Sequence, residues 1–216
     1  MTLAQRERAD LADLFDEVGP DHPTLDEGWQ AQDLLVHLLI RERRPDAVPG
    51  ALATLPVLSG WSRRVGAGYA GRPWSQQVQL VRSGPPRWSV FGISARIDAL
   101  ANGGEYFIHH EDLRRGAPGW QPRRLDATRT AELVRMLRSP IARRLVRRVP
   151  GGVVAELVTG SGSTETVRLK DGTPAATIAG EPGEVLLWLS GRDACHVELS
   201  GDPGVMDALR AMERGM

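Results

Sequence analysis

The stretch TLDEGWQAQDLLVHL, residues 24–38, decides how this chain is read: it runs from a turn into a helix and sets one histidine among leucines. Leu34, Leu35, Leu38 and Leu39 recur at helical spacing between about Trp29 and Arg43, and His37 lies inside that apolar stripe. A neutral imidazole facing a core needs a partner for each ring nitrogen, and a metal ion can be one of them. Asp33, one turn earlier on the same face, is the expected acceptor for the other ring N–H. The plainer alternative is a core histidine satisfied by a backbone carbonyl. Arg41, Glu42, Arg43 and Arg44 are expected to solvate the end of this helix.

Working outward, residues 3–18 show helical spacing of Leu3, Leu11, Leu14, Phe15 and Val18, and Gly19-Pro20 ends that helix. Residues 45–56 read as loop or broken helix, and nothing between residues 45 and 97 carries a functional motif. A third helix is expected over Trp74–Arg82, with Pro73 at its start. Residues 98–115 read as a fourth, ended by Gly116, and Arg129–Met136 continues helical. After Pro150 the texture changes to short β-prone runs, VVAELVT, TVRLKDG and AATIAG, separated by Gly, Ser and Asp. EVLLWLSGR reads as a short helix, CHVELSG as a strand with Cys195 buried, and VMDALRAMERG as a closing helix. The expected fold class is therefore α+β, with a helical bundle over residues 1–145 and a small α+β domain over residues 150–216.

In GGEYFIHHEDL, residues 103–113, Glu105 and His109 are four apart, so they lie about 40° from each other around one helix. A carboxylate oxygen and an imidazole nitrogen at that spacing can reach a common ion, and bundles build metal sites from such pairs plus a ligand on a neighbouring helix. Zinc accepts this mixed N/O set and keeps a fourth position open when it is catalytic. No fourth ligand with convincing spacing is visible. The expected metal ligands are His37, Glu105 and His109. His110 must point about 100° away from that ion. Glu111 and Asp112 are expected to be solvated partners of Arg114 and Arg115.

The chain has 216 residues with 27 basic and 27 acidic side chains, and so no net charge to draw it to nucleic acid or an anionic membrane. Its one cysteine excludes an intrachain disulfide. The start lacks a secretory pattern and no apolar run of about 20 residues occurs, so a cytoplasmic, non-membrane protein is expected. Lys170 is the only lysine, and a chain this rich in Arg, Ala, Gly and Pro points to a high-GC bacterial genome.

The spacing Trp29-x-x-x-Asp33-x-x-x-His37 in residues 24–38 resembles the N-terminal signature of the mycothiol-dependent maleylpyruvate isomerase family, the actinobacterial branch of the DinB-like metal-binding four-helix bundles. That family's second signature, Glu-x-x-x-His on a later helix, is matched by Glu105 and His109. Residues 109–125, HHEDLRRGAPGWQPRRL, look like an uncharacterised actinobacterial subgroup. Residues 183–210 are similar to the family's small α+β domain, which is related to sterol-carrier-like folds. The resemblance implies a divalent metal, with zinc expected, held by His37, Glu105 and His109, and mycothiol as a thiol cosubstrate. It also implies that Arg192 acts near the thiol or substrate, where a guanidinium can grip a carboxylate. Maleylpyruvate as the substrate is not implied.

Two readings from different classes follow. In one, the chain is a metal- and thiol-dependent isomerase or S-transferase acting on a small molecule. In the other, it is a non-catalytic metal-dependent binding or sensing module, whose site would be closed by a fourth protein ligand. A third, nucleic-acid binding through Arg135, Arg138, Arg143, Arg144, Arg147 and Arg148, lacks interleaved aromatic residues and reads better as a solvated helix face.

Overall fold

A computed structural model describes residues 1–44, 56–160, 162–212 and 214. The chain forms two compact units, residues 1–120 and 121–216. The expected loop over residues 45–56 lies outside the described residues, except for Pro56.

The first unit holds α1 (Leu3–Val18), α2 (Ala31–Arg43), α3 (Pro56–Ala70), α4 (Trp74–Arg82) and α5 (Ala95–Arg115). Thr2 starts α1 through a capping box with Gln5, and Gly19 ends it. The Ser94 hydroxyl accepts from Ile97 N–H at the start of α5, which therefore begins three residues earlier than expected. Packing follows the apolar spacing: Leu11 and Phe15 of α1, Leu34, Leu35, Leu38 and Leu39 of α2, Val78 and Val81 of α4, and Tyr106 and Leu113 of α5 form one buried cluster. Trp74 meets Phe15 edge-on at 5.7 Å and donates its indole N–H to the Phe15 carbonyl.

Helix α3 was not expected from the sequence. Gly60, Gly66 and Gly68 break its apolar period, and glycine is a poor helix former on its own. Tertiary packing supplies the reason: α3 packs on α2, with Gly66 facing Val36 and Ile40.

The second unit holds α6 (Ala127–Leu137), α7 (Pro140–Leu145), β1 (Gly152–Val158), β2 (Thr164–Lys170), β3 (Ala175–Gly180), α8 (Pro182–Leu189), β4 (Val197–Gly201) and α9 (Pro203–Ala211). Sheet order is β2-β1-β3-β4, with β1 parallel to β3 and the outer pairs antiparallel. Val153, Ala155 and Leu157 alternate inward on β1, and α8 is buried along its whole length. The chain is thus a mixed α+β protein. The units divide at Trp120, not near residue 145, because the apolar stripe of α6 (Leu133, Val134, Leu137) is buried in the second unit, where α6 packs on α8.

Cys195 is a correction. It lies ahead of β4, not in it, and is half-buried, its thiol donating to the Arg192 carbonyl. The six arginines between positions 135 and 148 are all exposed. No helix among the described residues is long and apolar enough to cross a membrane.

Candidate metal centre

His37 on α2 and Glu105 and His109 on α5 come together, their candidate ligand atoms all within 4.8 Å of one another. His109 Nε2 lies 3.6 Å from Glu105 Oε2. Two ligands bound at about 2.05 Å on a tetrahedral ion are about 3.3 Å apart, so this pair needs to move only slightly to share one. The His37 and His109 rings meet edge to face with centroids 5.2 Å apart, and the Trp29 ring stands tilted against His37 at 5.5 Å.

His37 is the residue on which the metal reading and the plain core reading part. Among the described residues neither of its ring nitrogens has a hydrogen-bond partner; its contacts are the Trp29 and His109 rings. A half-buried imidazole with two unserved nitrogens beside a carboxylate and a second imidazole is a donor set that fits a divalent cation.

The electrostatics agree. Burial pushes His37 down to about 4, helped by His109 and Arg41 and opposed by Glu105, so it is a neutral donor at pH 7. Burial alone would also lower His109, but hydrogen bonds to Asp112 and Glu105, and their charges, carry it up to about 9. For Glu105, burial works upward and is outweighed by the His109 hydrogen bond and by Arg41, His109 and His37, so its carboxyl lies below the usual range.

Two groups around these ligands were not expected. Asp112 is fully buried and its carboxylate takes His109 Nδ1 at 3.0 Å, which leaves Nε2 for a metal. This corrects the expectation that Asp112 is solvated. Glu111 does bond Arg114 and Arg115, but it too is buried. Asp33 is the second correction: it is exposed, and its carboxylate accepts from Gln30 N–H at the start of α2 instead of serving His37. Arg41 is the third. Far from solvating the helix end, it is held at the site, its Nε 3.3 Å from Glu105 Oε2.

No protein-family description matches the chain, and no curated protein matches it in sequence. Among solved structures, a crystal structure of a histidine-to-alanine mutant of the mycothiol-dependent maleylpyruvate isomerase matches at a TM-score of 0.52, covering 92% of this chain and 89% of that one. The two chains share a fold. At 13% identity the likeness carries nothing further by itself.

The loop before α2 completes the site. Leu25 N–H bonds the Asp112 carbonyl, and Gly116, just past α5, lies so close to the Pro23 carbonyl that a Cβ there would be 2.0 Å from its oxygen. The loop can therefore lie across the end of α5, with Asp26 near His109 and Asp112 and with Trp29 over His37. His110 turns to the other face of α5, where Nδ1 bonds the buried Glu7 at 2.9 Å. Arg192 lies in the second unit, half-buried, its Nη1 donating to the Ser190 carbonyl. A readable signal existed for both missed residues: Asp112 follows His109 by three positions and Arg41 follows His37 by four, both same-face helical spacings.

Proposed function

We propose that this chain is a divalent-metal-binding protein related in activity to thiol-dependent isomerases and S-transferases, with zinc held by His37, Glu105 and His109. The observation that carries the reading is His37: an imidazole with no hydrogen-bond partner among the described residues, turned to a carboxylate and a second imidazole. Among the described residues no fourth His, Cys, Asp or Glu joins that group, which favours a centre with a coordination position free for a thiol, water or substrate.

A zinc ion there would supply Lewis-acid chemistry and lower the pKa of a bound thiol or water toward neutrality. The chain's own residues divide the remaining work. Asp112 fixes the His109 tautomer and ring orientation. Trp29 packs its ring against His37. The proposal extends to mycothiol as the cosubstrate, supported by the fold shared with a mycothiol-dependent enzyme, and to Arg192 as a carboxylate-gripping residue. It further places the protein in the cytoplasm, acting on a small molecule and not on nucleic acid or membrane.

The test is metal analysis of the purified wild type and of the His37→Ala/His109→Ala variant, followed by mycothiol titration into the loaded wild type. About one equivalent of metal in the wild type and none in the variant is expected. Stoichiometric metal in the double variant would refute the site. A thiol-induced change at the metal supports the enzyme reading, whereas its absence favours a non-catalytic binding module.

A further inference from the structure

Arg41 occupies an unusual place for an arginine at the end of a surface helix. It follows His37 by one turn and reaches across to α5, where Nη1 donates to Asn102 Oδ1 and Nη2 to the Ala101 carbonyl at 3.1 Å. Its guanidinium lies over the Phe91 ring at 5.2 Å, with Nε against Glu105. Asn102 is itself held, its amide donating to Asp98 Oδ1 at 2.8 Å, and Asp98 is bound by the buried Arg8. The cation is therefore locked in one position before any ligand arrives, which removes most of the ordering cost of binding.

Locked as it is, Arg41 keeps donors to spare. A guanidinium has five N–H groups, and the contacts above leave one on each of Nη1 and Nη2 without a partner among the described residues. The site opens on this side: the Arg41 and Glu105 side chains are 20% and 23% exposed, whereas Asp112 is sealed at 0%. A divalent ion sharing Glu105 would also take up much of the negative charge that now balances Arg41. A positive, fork-shaped donor would then stand unneutralised at the mouth of the centre.

We propose that Arg41 is a substrate-recognition residue that receives a carboxylate group beside the metal. This rests on the metal reading above and gives the metal-binding unit a carboxylate contact of its own, additional to Arg192. The bland alternative is that Arg41 only braces Glu105.

Cobalt(II)-loaded protein, titrated with acetate and followed by visible absorption, separates these. The wild type should show a saturable spectral change. Arg41→Met should weaken the apparent acetate affinity at least tenfold while still binding one equivalent of cobalt. Arg41→Lys, which keeps the charge but not the planar fork, should fall between them. It also serves should Arg41→Met fold poorly: acetate affinity in Arg41→Lys equal to the wild type would then overturn the proposal. Acetate affinity unchanged in Arg41→Met, or an altered cobalt spectrum before any acetate with normal acetate affinity after it, overturns the recognition role and leaves the metal centre standing. Failure of the wild type to take up cobalt would sink the metal centre, and this inference with it.

Discussion

His109 has a different partner at each ring nitrogen, and that arrangement makes its behaviour testable one atom at a time. With Nδ1 on Asp112 and Nε2 facing Glu105, its pKa is raised to about 9, so at pH 7 it carries a proton that a metal must displace. His37, lowered to about 4, carries none. Zinc binding at pH 7 should therefore release about one proton, measurable from the buffer dependence of the calorimetric enthalpy. Zero or two protons would contradict the assignment. Asp112→Asn removes the carboxylate but keeps the shape, and should weaken zinc by about 10–100-fold in a chelator competition. An unchanged affinity would mean that Asp112 does not orient His109. The pairing of Glu105 with His109 was legible in the sequence because same-face spacing is a local property of one helix, whereas His37 stood out only by its place in the apolar stripe of another. Asp33 was misjudged because the start of α2 claims its carboxylate, a competition that the spacing does not reveal.

At the scale of the elements, α1, α2 and α5 are joined by a buried ionic cluster. Arg8 is 4% exposed and donates to Glu42 at 2.7 Å and to Asp98 at 2.7 Å, with Tyr106 beneath it at 4.5 Å. Arg8→Met would leave two buried carboxylates without their cation and should cost about 3–5 kcal/mol in urea denaturation. A loss below about 1 kcal/mol would show the cluster to be hydrated. Glu42 looked like a solvated terminal residue in sequence, since nothing local shows that a helix 34 positions earlier brings it an arginine. The loop crossing makes a separate demand. Gly116→Ala drives a methyl group into the Pro23 carbonyl, so it should destabilise by about 1–3 kcal/mol and also weaken metal binding by shifting Asp26 and Trp29. Normal stability and metal affinity in that variant would show that the loop is not held against α5.

Whole-molecule stability should report the site in two ways. In metal-free protein, His37 lies below an ordinary histidine, so the unfolded state binds the extra proton and stability falls as pH drops from about 6.5 toward 4. His109 lies above it, so its contribution is complete below about 6.5 and is lost as pH rises through 9. The two give a maximum between about pH 6 and 7, with losses on the order of 2 kcal/mol on either side. Urea midpoints in EDTA at pH 5, 7 and 9 check this, and a monotonic trend would contradict it. Zinc at about a thousand times its Kd should add about 4 kcal/mol, seen as a raised Tm that His37→Ala abolishes.

The sequence by itself determined the α+β class, most helices and strands, and the one-turn spacing of Glu105 and His109, because each of these follows from periodicity, caps and spacing within a short span. Only the tertiary structure decided where the units divide, that α3 is a helix, and that Asp112 and Arg41 stand at the site while Asp33 does not. Those outcomes depend on which distant group reaches a side chain first. A buried carboxylate or guanidinium takes the partner that packing brings within about 3 Å, and no local pattern records that.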